Sequence, residues 1–292
     1  MHPQQLLHNS EHPTWLAAED AARIPPLGHT EATRMSQVEL ERFLALVEGL
    51  SPDDWTRPTA CTLWDVREMV AHVVGSAAAP TDRSQAMRQS SPRGQRPYRR
   101  AGLSRLDAQN QIQIADRANT SPADLIAELR EVGPRSVVAR DRMPAVVRAL
   151  RLPLGLFYPM DRTWVRLGYM SDVIMTRDMW MHRLDICRAT GREMELTREH
   201  DGRMTALVVR DLAQTLPSRL GGSSVLYELS GPAGGTWRIG KGTPSARIGL
   251  DALDFHLLAA GRMPVEETRS LATIEGDIEL SNRALARSFV VY

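Results

Sequence analysis

Apolar residues recur at intervals of three and four along most of residues 31–220, which is the period of an amphipathic helix. The segment 'HTEATRMSQVELERFLALVEGL' predicts the first helix, and Asp65 caps the start of a second. Ser121 followed by Pro122 opens a later helix, and Gly191 closes one that begins near Ser171. The pattern therefore predicts a helical domain over this part of the chain.

The period changes near Gly221. The segments 'SVLYELSG', 'GTWRIG' and 'PSARIGL' alternate polar and apolar positions between Gly and Pro residues, as strands and turns do. 'LDALDFHLLAAGR' predicts a helix, 'SLATIEGD' another strand and 'IELSNRALARSFVVY' a last helix. We expect residues 221–292 to form a small α+β domain.

Two segments have little periodicity. Residues 1–30 contain four His and four Pro and predict a tail that lies over the surface. Residues 82–102 contain six arginines and one acid, a composition typical of a mobile basic loop.

Composition and charge restrict the class of protein. Of the 292 residues, 42% are hydrophobic and 24% are charged, which suits a globular chain of two domains. The formal net charge of +1 favours neither nucleic acid nor an anionic membrane. There is no secretory leader pattern and no apolar run of about 20 residues. Cys61 and Cys187 form no disulfide framework, so we expect a cytoplasmic protein.

The candidate chemistry lies in the predicted helix that contains 'RDMWMHRLDICRATGR'. Asp178, His182 and Asp185 share one face, and the opposite face is apolar and includes Trp180, which we assign to the core. Two interpretations of Asp178 with His182 are open: an i,i+4 ion pair, or two ligands of a metal. A histidine from another helix, His72, would complete the three protein ligands of a catalytic zinc site.

Two further residues allow alternatives. Asp185 either contacts a ligand or pairs with Arg183 or Arg188. Cys61 precedes a helix, where a thiolate would be stabilised, but a structural cysteine is the commoner case.

The run 'LSPDDWTRPTACTLWDVREMVAHVVGSA' resembles the N-terminal signature of mycothiol-dependent maleylpyruvate isomerase-like proteins, a branch of the DinB-like metal proteins. 'TRDMWMHRLDICRATGR' resembles their second signature, and the region from 'VLYELSGP' to 'IEGDIEL' is similar to their small sterol-carrier-like domain. The first signature is carried by Trp55, Pro58, Thr59, Cys61, Trp64 and His72, and the second by Asp178, His182, Asp185, Ile186, Ala189 and Gly191.

The resemblance implies a DinB-like four-helix bundle followed by the small α+β domain. It implies that His72, Asp178 and His182 bind a divalent metal, for which zinc suits the two imidazoles and the carboxylate. Asp178 departs from the family pattern, which has Glu at this position.

The resemblance also implies a function: mycothiol, activated by the metal, attacks a small electrophile, giving isomerisation or S-transfer. Arg262, with Arg247 as the second choice, would hold a substrate carboxylate, and Asp185 joins Arg262 as a candidate catalytic residue. Two other functions remain open, a thiol-independent hydrolase or lyase that uses metal-bound hydroxide, and a non-catalytic metal-stabilised binding module. We expect small-molecule partners, neither nucleic acid nor membrane, and a monomer or homodimer.

Overall fold

The computed structural model describes residues 18–153 and 164–292, which form a helical bundle and a mixed sheet covered by helices. The helices are α1 (His29–Glu48), α2 (Val66–Ala78), α3 (Arg83–Ser90), α4 (Pro92–Arg100), α5 (Arg105–Ala115), α6 (Pro122–Asp141), α7 (Ala145–Arg148), α8 (Leu167–Tyr169), α9 (Met175–Thr190), α10 (Arg203–Thr215), α11 (Ala252–Ala259), α12 (Val265–Leu271) and α13 (Ile278–Ala286). The strands are β1 (Glu19–Asp20), β2 (Arg151–Leu152), β3 (Val165–Arg166), β4 (Ser224–Ser230), β5 (Gly235–Gly240), β6 (Ala246–Asp251) and β7 (Thr273–Gly276).

Helices α1, α2, α6 and α9 pack against one another as the predicted four-helix bundle. Their apolar stripes meet in a core that includes Phe43 of α1, Met69 of α2, Leu125 of α6 and Ile186 of α9, all of them fully buried. Helix α5 packs against α2 from outside this core. Within the two described stretches of chain, none of the helices has the length and apolar character that a membrane span requires.

The capping residues predicted for three helices are confirmed, but the last helix ends at Ala286 and does not continue to Tyr292 as predicted. The Asp65 side chain accepts a hydrogen bond from the backbone N–H of Glu68, and Ser121 caps α6 in the same way. Gly191 ends α9 with φ of 68°, a left-handed conformation that glycine adopts without strain. A π-helical turn, Met170–Ile174, precedes α9 and links it to α8.

The second region is a five-stranded mixed sheet in the order β1-β5-β4-β6-β7. Strand β4 pairs antiparallel with β5 and parallel with β6, so that Tyr227 lies between Trp237 and Ile248. The buried side chains of the sheet pack with those of α10, α11 and α13 in one apolar cluster. This arrangement confirms the predicted fold class, a helical bundle followed by a small α+β unit.

The N-terminal segment departs from the prediction of a surface tail. Residues 1–17 lie outside the described residues, but Glu19–Asp20 forms a strand that pairs in parallel with β5. Ala21 and Ile24 are buried in the core of the sheet. A strand of two residues is too short to produce a periodic signal in the sequence. The residue at which the domains divide stays a prediction.

The prediction of a basic loop at residues 82–102 is wrong, because this segment forms α3 and α4. Asp82 caps α3 by accepting hydrogen bonds from the N–H groups of Ser84 and Gln85, and Ser91 caps α4 ahead of Pro92. The local capping residues therefore outweigh the disorder that the arginine-rich composition suggests.

Helix α9 is held in place by a buried ion network. Arg183 donates to Glu39 Oε1 at 2.7 Å and to Asp201 Oδ1 at 2.8 Å, and both carboxylates are fully buried. Asp201 also accepts the indole N–H of Trp180 at 2.8 Å, and Trp180 lies in the core as predicted. The network connects α1, α9 and the turn before α10.

We predict that Arg183→Ala lowers the free energy of unfolding by about 3 kcal/mol, because Glu39 and Asp201 would each lose a buried ion-pair partner. Arg42 would still contact Asp201, and His200 would still contact Glu39.

Arg130→Ala is the matched control, since Arg130 pairs with Glu48 on the exposed surface and its loss should cost less than about 1 kcal/mol. Urea denaturation measures both values. Equal losses in the two variants would contradict the account of the network.

Candidate metal centre

Asp178 lies between two imidazoles that come from two packed helices. His72 lies in α2, and Asp178 and His182 lie one turn apart in α9. Asp178 Oδ2 is 3.4 Å from His72 Nε2, and Asp178 Oδ1 is 3.3 Å from His182 Nε2. One ligand atom from each residue falls within 4.8 Å of the others. The structure thus brings together the three residues that the sequence analysis names as metal ligands.

A chain of buried amides determines the tautomer of His72. The Gly75 carbonyl can only accept, so the Gln89 amide nitrogen must face it, at 3.0 Å. Gln89 Oε1 then accepts from Gln113 Nε2 at 2.9 Å. Gln113 Oε1 is therefore the atom that lies 2.7 Å from His72 Nδ1, and Nδ1 must carry the proton.

The tautomer leaves His72 Nε2 with a lone pair that points toward a carboxylate. This nitrogen is buried and has no hydrogen-bond partner, and the Asp178 oxygen 3.4 Å away can only accept. A buried acceptor that faces a partly exposed carboxylate is unfavourable unless a cation or a proton lies between them. A divalent cation satisfies both acceptors.

His182 repeats this arrangement. Its Nδ1 is 3.3 Å from Asp185 Oδ2, which can only accept, and its Nε2 faces Asp178. Burial would lower the pKa of His182, but the Asp178 carboxylate outweighs burial and raises it to about 9. Burial would likewise raise the pKa of Asp178, but the two histidines hold it well below its usual range. A metal would take the place of the proton on His182.

Asp185 connects the bundle to the second domain. Arg262, which follows α11, donates its Nε–H toward both Asp185 oxygens at 2.9 Å. Asp185 is fully buried and contacts His182 and Arg262. It pairs with neither predicted arginine: Arg183 pairs with Glu39 and Asp201, and Arg188 pairs with Asp254.

Cys61 lies beside this pair. Arg262 Nη2 is 3.4 Å from Cys61 Sγ. Burial raises the pKa of the Cys61 thiol to about 12, so the thiol is neutral at pH 7. Cys61, His182 and Asp185 form a second group with metal-ligand spacing, but Arg262 already contacts two of its members, Cys61 and Asp185.

The three candidate ligands line a cavity of about 550 Å³ between α2, α5, α9 and the second domain. Trp64 lies over His72, with ring centroids 4.9 Å apart, and Arg262 lines the same cavity. Arg247 does not line it, because its guanidinium pairs with Glu228 and Glu275 on the sheet. No sequence motif marks Gln113 and Gln89, because their contacts arise from the packing of distant helices.

Comparison with known proteins identifies the family and the fold. Residues 37–187 match the family model described as the mycothiol maleylpyruvate isomerase N-terminal domain. Two solved structures are similar, the mycothiol-dependent maleylpyruvate isomerase and a histidine-to-alanine mutant of it. Each is 14% identical in sequence, has a TM-score of 0.55, and is matched over 86% of this chain and 95% of its own.

At this identity the structural likeness shows the fold alone. A comparison with curated proteins gives no match. The family model, however, spans just over half of the chain and includes His72, Asp178 and His182. The chain therefore belongs to the mycothiol maleylpyruvate isomerase N-terminal domain family.

Proposed function

We propose that this protein is a metal-dependent enzyme in which mycothiol attacks a small electrophilic substrate, giving isomerisation or S-transfer. The observation that carries the proposal is the convergence of the His72 and His182 Nε2 atoms on Asp178, with a lone pair on His72 that no donor satisfies. The similar solved structures are of a mycothiol-dependent maleylpyruvate isomerase, which supports the choice of thiol.

His72, Asp178 and His182 would hold the metal. Two neutral imidazoles and one carboxylate are a donor set that suits zinc, and a site of three protein ligands leaves a position for an exogenous ligand. All three side chains line the cavity, so this position would face it. When bound, a divalent ion would lower the pKa of a coordinated thiol so that the thiolate is present at neutral pH.

The other residues orient these ligands. Gln113 and Asp185 accept the Nδ1–H groups of the two imidazoles, which directs each Nε2 lone pair toward Asp178. Trp64 covers His72 and reduces its contact with solvent. Cys61 does not act as the nucleophile in this proposal, because its thiol stays protonated.

Arg262 and Asp185 would act on the substrate side. Asp185 accepts the Nε–H of Arg262, so a substrate in the cavity would meet the guanidinium through its Nη atoms. There the guanidinium would hold a carbonyl or carboxylate oxygen as the sulfur approaches. Asp185 would position both Arg262 and His182 at the same time.

We predict that the purified protein binds about one zinc ion per chain and that His72→Ala and His182→Ala each remove it, because two protein ligands rarely retain zinc. His29→Ala is the matched control, since His29 contacts Asp141 and Asp172 away from the cavity. Elemental analysis of the folded variants measures the metal.

Metal retained in both folded variants would contradict the assignment. Zinc titration of the parent protein at several pH values is a second test, because His182 must lose a proton to bind metal. Zinc affinity should therefore rise with pH until about 9 and level off above it.

We predict that turnover of an electrophile requires both zinc and mycothiol. We also predict that Arg262→Lys lowers kcat/KM by about tenfold or more, because lysine lacks the planar guanidinium that binds a carboxylate through two nitrogens. Lysine keeps a cation beside Asp185, so metal content should not change. Arg247→Lys, in the same domain but away from the cavity, should leave kcat/KM unchanged. Equal turnover without any thiol would contradict the proposed function.

A further inference from the structure

Much of the cavity lining is apolar. The apolar side chains come from the π-helical turn, the start of α9, the residues at and just before the start of α5, and the residues after α13. These residues are Met170, Ile174, Met175, Leu103, Leu106 and Val291. A ligand that reaches the candidate metal site therefore contacts hydrocarbon over much of its surface.

Cationic groups are scarce in this cavity. Among the described residues that line it, Arg262 is the one arginine, and no lysine lines it. Arg262 is already paired with Asp185, which accepts its Nε–H with both oxygens. Asp107, which is exposed, also lines the cavity and adds a negative charge.

Apart from the exposed Asp107, the charges around the candidate metal balance without a substrate. A divalent metal and Arg262 supply three positive charges, and Asp178, Asp185 and a thiolate supply three negative charges. A substrate with two carboxylates would bring two further negative charges into a largely apolar cavity, where uncompensated charge is costly. A neutral substrate would add none.

We propose, building on the proposed function, that the substrate is an apolar electrophile with no charge or one carboxylate, such as a conjugated enone with an aromatic or alkyl substituent. This distinguishes the protein from an isomerase of a dicarboxylate such as maleylpyruvate. The thiolate sulfur forms a bond to the β-carbon, and the C=C π bond breaks. Its electron pair moves to the α-carbon, which takes up the proton that the thiol lost.

The first experiment compares two electrophiles with zinc-loaded protein and mycothiol. We expect kcat/KM for neutral 4-phenylbut-3-en-2-one to exceed that for maleylpyruvate by about 100-fold, because the dianion has no second cation to pair with. A kcat/KM for maleylpyruvate that equals or exceeds that of the enone would overturn the proposal.

A variant tests the charge argument directly. Met170→Arg places a cation on the apolar part of the lining at a half-buried position, and we expect it to raise the maleylpyruvate-to-enone ratio of kcat/KM by about tenfold. Met170→Gln, polar but uncharged, is the matched control and should leave the ratio within about twofold. An equal rise in both variants would contradict the charge argument.

Calorimetry separates this inference from the proposed function. If neither electrophile reacts, the proposed thiol transfer is contradicted. The affinities of two unreactive ketones still show whether the cavity prefers a neutral ligand or a dianion. Neutral 4-phenylbutan-2-one should bind the zinc-loaded protein at least about tenfold more tightly than the dianion 4-oxoheptanedioate. The reverse order of affinity would overturn the inference whatever the catalytic result.

Discussion

The contact between His72 Nε2 and the Asp178 carboxylate is the constraint on which the site depends. Both atoms are acceptors and lie 3.4 Å apart; the imidazole nitrogen is buried, and the carboxylate is partly exposed. Neither group can relieve this by rotating, because the imidazole is held through Nδ1 by Gln113 and the carboxylate contacts His182 on its other oxygen. A cation between them would replace this unfavourable contact with coordination. The amide chain through Gln89 holds Gln113, and therefore the His72 ring, in the orientation that coordination needs.

Ion pairs connect α9, which carries two of the candidate ligands, to the rest of the fold. Three arginines that touch the helix or lie within it pair with buried acids: Arg183 with Glu39 and Asp201, Arg177 with Asp211, and Arg262 with Asp185. The first pairing connects α9 to α1, and the second connects it to α10. The third brings Arg262 of the small domain to Asp185, the carboxylate that contacts His182 Nδ1. Both domains therefore shape the cavity that the candidate ligands line.

Much of the fold was predictable because its signals are local. Each of these signals depends on a few adjacent residues: the caps Asp65 and Ser121, the left-handed Gly191, and the change of period near Gly221. The juxtaposition of Asp178 and His182 follows from their i,i+4 spacing.

Other features depend on contacts between distant residues or on short elements. The Gln113 contact with His72 joins residues 41 positions apart, and the Arg262 contact with Asp185 spans 77. The two-residue strand β1 is too short to show a period. The arginine-rich composition of residues 82–102 predicts a loop although capping residues start both α3 and α4. The assignment of metal ligands stays a prediction.

Zinc K-edge X-ray absorption, recorded before and after addition of mycothiol, tests the central claim most directly. The account predicts nitrogen and oxygen ligands alone in the zinc-loaded protein, and one Zn–S distance of about 2.3 Å after the thiol is added. A Zn–S distance before thiol addition, abolished by Cys61→Ser, would instead favour the group formed by Cys61, His182 and Asp185. That result, or the absence of sulfur after mycothiol is added, would contradict the account.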